Sequence, residues 1–315
     1  MQSDMKKKIV VLGSINMDLV VRTDRAPEGG ETLTGSSFQT IPGGKGANQA
    51  VAIARQGGEV VMVGRVGNDA FGNELVAKLK ENKVNVDQVK YDDTCSTGVA
   101  MIVVEKTGQN RIIVVAGANG RVINTDVDEA RTLFSQSEFL VVQLETPLST
   151  VAYALNAAKA EHVRTVFNAA PAPSKPLDDA MLKQIDYLLV NETEAETIAG
   201  KAVENIESAL EVAQNLQRKT KGNIVLTLGE KGSVVADGTS VWHTPAFKIE
   251  VVDTTAAGDA FTGGLVNSLQ KGMSLKDAVI HASAAGALAA CKFGAQPSLP
   301  TGDEIKEFLA SRNIC

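Results

Sequence analysis

Short apolar runs alternate along the chain with longer stretches whose apolar positions recur at helical spacing. Residues 8–13 (KIVVLG), 59–64 (EVVMVG), 139–145 (FLVVQLE), 165–168, 187–191 (YLLVN) and 223–229 (NIVLTLG) read as strands. The pattern predicts helices over 70–82, 150–160, 178–184 and 204–219. Strands separated by helices imply βαβ units, so the expected class is α/β, with a central, mostly parallel sheet covered by helices on both faces.

Two stretches break this rhythm. Residues 18–40 show no helical periodicity, and 31–39 read as exposed strand and turn. Residues 97–105 and 111–115 are strand-like and are joined by KTGQN at 106–110, a hairpin signal. Together they suggest a small separate sheet built from about 16–42 and 96–116. The same runs could also serve as edge strands of the main sheet. No internal repeat or low-complexity linker divides the chain, so 1–315 reads as one domain.

Composition narrows the picture. Apolar residues make up 44% and aromatic residues only 4%, so the core is expected to consist mainly of Ala, Val, Leu and Ile. Such a core suits a parallel sheet buried on both faces. A net charge of -6, with Lys6-Lys7-Lys8 as the only basic run, offers no footprint for nucleic acid. Cys95, Cys291 and Cys315 are odd in number and far apart, which suggests neither a disulfide framework nor a zinc site. The apolar run at 9–12 is too short for a signal peptide, and no run approaches the ~18 residues that span a bilayer. The expectation is a soluble, cytoplasmic protein.

Four segments concentrate small, polar and charged residues at strand ends, where ligands bind in open α/β sheets. The first is DTTAAGDAF at 253–261, leading into a helical run to Gln270. Its small residues can turn tightly into the helix and aim backbone amides at an anion. Asp259 falls in the first helical turn, where a helix cap is the alternative reading. The second is IPGGKGANQA at 41–50, also leading into an Ala-rich helix. Gly-Lys is not followed by Ser or Thr, so it is not a P-loop, and read alone it could be a flexible turn. The third is SINMD at 14–18, where Asn16 and Asp18 can share one face of a strand and hold neighbouring hydroxyls, or serve as turn formers. Glu145, at the end of the 139–145 run, is a similar candidate. The fourth pairs NETE at 191–194, which could organise hydrated Mg²⁺, with TLGEKG at 227–232, where a nucleotide could lie. A capping box and a hairpin turn explain these two equally well.

Taken in this order, the segments resemble the ribokinase-like family of carbohydrate kinases over nearly the whole chain. The run 43–48 resembles the family's first signature, and 253–259 its more specific second signature. The resemblance implies a central sheet with helices on both sides and a small β-sheet lid. It implies that Asn16, Asp18, Gly44, Lys45, Asn48 and Glu145 hold the sugar. Asp259 would be the base, with the amides of Ala256, Ala257, Gly258 and Asp259 as anion hole. Asn191 and Glu194 would serve phosphates and Mg²⁺, while Thr227, Gly229, Gly232 and Ser283 would border the nucleotide. A K⁺ site would use Asp253, Thr255, Ala289, Lys292, Gly294 and Ser298, several through backbone carbonyls. The sequence departs from the family's pattern at Thr255, Ser283 and Lys292.

The implied reaction is transfer of the γ-phosphoryl of MgATP to the 5-hydroxyl of D-ribose, with Asp259 taking the proton. A homodimer pairing through the lid is the implied assembly. Asn16 favours ribose because its amide can reach an additional hydroxyl; deoxyribose, fructose or a nucleoside remain alternatives. A non-catalytic sugar-binding regulator is a rival from a different class, since fold alone does not establish function. An NAD-dependent dehydrogenase is disfavoured, because no G-x-G-x-x-G follows the first strand.

Overall fold

The computed structural model describes residues 8–314; Lys6, Lys7 and Cys315 lie outside the described residues. In chain order the elements are β1 (Lys8–Leu12), β2 (Asn16–Thr23), β3 (Ser37–Gly43), α1 (Lys45–Arg55), β4 (Val60–Gly67), α2 (Ala70–Glu81), β5 (Asn85–Asp92), β6 (Gly98–Glu105) and β7 (Asn110–Val115). There follow α3 (Asn124–Phe134), β8 (Ser137–Val142), α4 (Leu148–Ala160), β9 (Arg164–Asn168), α5 (Asp179–Leu182), β10 (Tyr187–Asn191), α6 (Glu192–Ala199), α7 (Ile206–Thr220) and β11 (Asn223–Thr227). The chain ends with β12 (Ser233–Ala236), β13 (Val241–Thr244), α8 (Ala257–Gln270), α9 (Leu275–Ala290), α10 (Ala295–Ser298) and α11 (Gly302–Ala310).

Nine strands form one sheet in the order β13-β12-β11-β10-β9-β8-β1-β4-β5. Every neighbouring pair is parallel except β11 with β12 and β12 with β13. Alternate residues of a strand feed opposite faces. Ile9 and Val11 join α1, α2, α8, α9 and α11 in one apolar layer. Val10 and Leu12 join α3, α4, α5, α6 and α7 in the other. Small residues let α1, α8 and α9 approach closely: a Cβ on Gly263 would stand 2.5 Å from that of Ala52.

The remaining strands form a separate sheet, β3-β2-β6-β7, rather than edges of the main one. Here β2 runs parallel to β6, and each has an antiparallel neighbour, β3 and β7 respectively. The hairpin expected across 106–110 is the turn between β6 and β7. Phe38, Met101, Ile112, Ile113, Val114 and Val115 are exposed on this sheet, Ile113 to 66%.

One boundary differs in a way that matters. β8 ends at Val142, so Glu145 lies beyond the strand rather than at its last position. Beyond Val142 the Gln143 side chain donates to Gln49, and the Leu144 amide pairs with the Ala170 carbonyl.

Candidate active site

Two glycine- and alanine-rich helix starts face the same region. At α1, Gly44 has φ 88°, and a Cβ there would lie 2.7 Å from the Asn16 amide nitrogen, so only glycine fits. The amides that follow are satisfied from within. Lys45 N–H donates to Glu145 Oε2 at 3.0 Å, Gly46 N–H to Ser14 Oγ at 3.3 Å and Ala47 N–H to the Ser14 carbonyl at 2.9 Å. The Ser14 hydroxyl donates to the same Glu145 oxygen. Glu145 thus supplies the anion that a helix N-terminus favours.

At α8 the N-cap is Ala256, in the left-handed region at φ 60°, and no side chain caps it. Ala257 N–H donates to the Thr254 carbonyl at 3.2 Å. The amides of Ala256, Gly258 and Asp259 have no acceptor among the described residues. This is an open anion-binding end.

Asp259 is not its cap. Its buried carboxylate accepts from Asn48 Nδ2 at 3.0 Å through Oδ2 and from Gln49 Nε2 at 2.9 Å through Oδ1. Gln49 is held in turn, its Oε1 accepting from Gln143 Nε2 at 2.6 Å and its Nε2 also donating to Asn168 Oδ1 at 3.1 Å. Burial raises the pKa of Asp259, while Lys45 and the two amide donors pull it back without cancelling the rise. Asn48 Oδ1 is buried without a partner among the described residues, an acceptor suited to a hydroxyl.

Lys45 is the hub of the surrounding charges. Burial alone would depress its pKa, but Asp259, Glu145, Glu194 and Asp18 outweigh burial and hold it above the ordinary value. Asp18, buried on β2, is pushed up to about 7 by burial and by the charges of Glu145 and Asp259, against the pull of Lys45. Its carboxylate lies over Gly43, the register partner of Asn16 on β3, where a Cβ would come within 2.4 Å of it. Asn16, two residues earlier, shares that face of β2. The second sheet therefore places two polar side chains beside α1.

Asn191 and Glu194 form a capping box at α6: Glu194 N–H donates to Asn191 Oδ1 at 2.9 Å, and Asn191 N–H to Glu194 Oε2 at 2.8 Å. Burial raises the pKa of Glu194 against the pull of Asn191 and Lys45. Thr227 lies opposite Asn191 in the β10–β11 register, and its hydroxyl donates to the Val190 carbonyl at 3.3 Å. Gly229 and Gly232 belong to the turn joining antiparallel β11 and β12, with Gly232 seated against the Thr244 carbonyl. The Ser283 hydroxyl donates to its own helix, to the Val279 carbonyl at 2.8 Å.

Of the residues expected around K⁺, Asp253, Thr255 and Gly294 meet. Asp253 Oδ1 accepts from the Thr255 amide at 2.9 Å and hydroxyl at 2.6 Å, and Oδ2 accepts from the Gly294 amide at 2.9 Å. Burial would raise the pKa of Asp253, but these donors hold it below the usual range. Both Val252 and Asp253 donate to the Ala290 carbonyl at the C-terminal end of α9, beside Ala289. The Lys292 ammonium turns away to Glu304 Oε1 at 2.6 Å, and the Ser298 hydroxyl to the Ala295 carbonyl at 2.7 Å. Among the described residues no lysine ammonium pairs with Asp253, although the Arg22 charge reaches it; a carboxylate beside a helix C-terminus suits a monovalent cation.

A model of the pfkB family of carbohydrate kinases matches residues 6–302. The chain belongs to that family. It is 42% identical to a ribokinase of Schizosaccharomyces pombe, over 93% of this chain and 95% of the relative. It is 39% identical to a ribokinase of Haemophilus influenzae, over 97% of this chain and 99% of the relative. Among solved structures, Arabidopsis thaliana ribokinase complexed with ribose and ATP superposes with a TM-score of 0.89 at 31% identity, covering 97% of this chain and 99% of that one.

Within this pfkB kinase, sequence reasoning missed Ser14 as a cap, together with Gln49, Gln143, Asn168 and Asn119. A signal for two of them was present: Gln143 interrupts an apolar strand run, and Gln49 stands in a helix of small apolar residues. Polar groups in such places are buried and must be paired.

Proposed function

We propose that the protein phosphorylates D-ribose at its 5-hydroxyl with MgATP. One observation carries the reading: a buried carboxylate, Asp259, held by two amide donors beside the unpaired amides of an open helix N-terminus. In this reading Asp259 takes the proton of the sugar hydroxyl, whose oxygen attacks the γ-phosphoryl group. The bond to the β-phosphate oxygen breaks, and ADP leaves. The amides of Ala256, Gly258 and Asp259 meet the charge on the transferring group. Asn16, Asp18, Lys45 and Asn48 orient the sugar, and Glu145 acts mainly by closing α1.

When bound, Mg²⁺ supplies charge neutralisation on the phosphates. Glu194 and Asn191 suit it through water, because each already satisfies the other in the capping box. Thr227, Gly229 and Ser283 border the nucleotide, with Gly232 shaping the turn. Bound K⁺ supplies positive charge behind the anion loop. Asp253, Thr255, Ala289, Lys292, Gly294 and Ser298 would hold it, Lys292 and Ser298 through backbone carbonyls, fixing the loop that carries Ala256.

The second sheet serves as a lid that excludes water from the phosphoryl donor. Its exposed apolar side chains favour pairing with the sheet of a second copy, giving a dimer in the cytoplasm. Light scattering is expected to give twice the chain mass; a monomer would remove this part of the reading.

ATP-dependent phosphorylation of D-ribose, 2-deoxyribose, fructose and adenosine, with and without K⁺, tests the function. Preference for ribose with activation by K⁺ is expected. Activity on another sugar would overturn the substrate, and turnover unaffected by K⁺ the cation site. Sugar binding with no turnover on any of them would favour the regulator instead.

A further inference from the structure

We propose that Asn119 is a positioning residue that fixes which way the Asn16 amide faces, so that the sugar pocket donates a hydrogen bond at that point; this rests on the reading of the site as a sugar kinase. Asn119 lies on the short 3₁₀ turn Gly117–Arg121 after β7 and is buried, at 1% exposure. Its Oδ1 accepts from the Ile15 amide at 2.8 Å, and its Nδ2 donates to the Ile15 carbonyl at 3.2 Å. The two backbone groups have fixed polarity, so the Asn119 amide has one orientation. The same Nδ2 donates to Asn16 Oδ1 at 2.6 Å.

That bond settles Asn16 in turn. With its oxygen turned to Asn119, the group it presents on the other side is Nδ2, which has no partner among the described residues. It belongs to the face of β2 that carries Asp18. The polarity is thus passed from the Ile15 backbone through Asn119 to Asn16. Glycine at 98 keeps the path open: a Cβ there would stand 2.2 Å from Asn119 Nδ2 and 2.4 Å from Asn16 Oδ1. A sugar hydroxyl opposite Asn16 must therefore accept. A sugar lacking that hydroxyl would cover the donor and leave it unpaired, the arrangement by which polar sites reject deoxy analogues.

The test is kcat and KM for ribose, 2-deoxyribose and 3-deoxyribose in wild type, Asn119→Ala, Asn16→Ala and the double variant. Wild type should discriminate against one monodeoxy sugar by ~10-fold or more. Asn119→Ala should abolish most of that discrimination through the KM for ribose, leaving kcat and the KM for ATP within about threefold. On top of Asn16→Ala it should add little. Asn119→Asp is isosteric and carries the test if the alanine variant does not fold. It places an acceptor opposite Asn16 and turns that amide over, with the same loss expected. Unchanged discrimination, an equal cost with and without Asn16, or a loss spread over kcat and ATP alike would each overturn the proposal. A wild type that takes another sugar would overturn the ribose reading alone, and the same series would then be run on that sugar and its deoxy analogues.

Discussion

The starts of α1 and α8 are built from similar residues, Gly44-Lys45-Gly46-Ala47 and Ala256-Ala257-Gly258-Asp259, yet they do opposite things. At α1 the protein supplies its own anion, Glu145, and its own hydroxyl, Ser14, so the helix end is closed. At α8 no side chain caps the helix, and its acidic residue turns away to Asn48 and Gln49. A helix N-terminus is an anion site only when the chain leaves it empty. In the proposed reading the closed end presents side chains to a neutral polyol, and the open end presents backbone to a phosphoryl group.

The largest expected effect comes from the open end. Asp259→Asn keeps the shape and the loop but removes the base, so kcat should fall by ~10² to 10⁴-fold while sugar and nucleotide still bind. Steady-state kinetics beside calorimetric binding checks this, and near-normal turnover would remove Asp259 from its role.

The second prediction concerns the carboxylates around the closed end. Asp18 has a folded-state pKa raised to about 7 from 3.8. A group raised in this way stabilises the ligand-free fold below its unfolded pKa and loses that contribution as pH rises through about 7. Sugar affinity should run the other way, because the ionised carboxylate accepts hydroxyl hydrogen bonds more strongly. The sugar Kd should therefore weaken several-fold from pH 8 to pH 6, a trend that Asp18→Asn flattens. Calorimetry over that range reads it, and parallel slopes in the two proteins would count against the assignment.

The smallest effect is expected from opening α1. Glu145→Ala leaves the Lys45 amide without its acceptor and should cost ~1 kcal/mol of stability, within the usual range for a lost cap. It also removes a charge that raises Asp18, so the apparent pKa seen in sugar binding should move down. Urea denaturation and the pH series together separate the two. Unchanged stability would mean that α1 is not closed from within.

The strands from 8–13 to 223–229 were legible because residues buried on both faces of a parallel sheet must be apolar throughout. β5, β12, β13, α3 and α11 were not picked out, being short or carrying charged residues among their apolar ones. The site was legible as residue types: small residues before Asp259, amides and carboxylates at strand ends. Its wiring was not. In the sequence, Asp259 admitted a helix cap as the alternative to a base, and Asn191 with Glu194 read equally as capping box or magnesium group. The capping box is present at α6, whereas at α8 the cap is absent.

What the sequence determined by itself is the local part: which runs bury apolar surface, where the chain turns, and which chemical groups stand at the turns. These depend on near neighbours and on periodicity. Tertiary structure alone decided that Gln143 reaches Gln49, that Gln49 reaches Asp259, that Glu145 closes α1 and that Asn119 orients Asn16. Those bonds join residues from 94 to 210 positions apart. Only folding brings the donor and acceptor of each pair together, away from the water that would otherwise satisfy them.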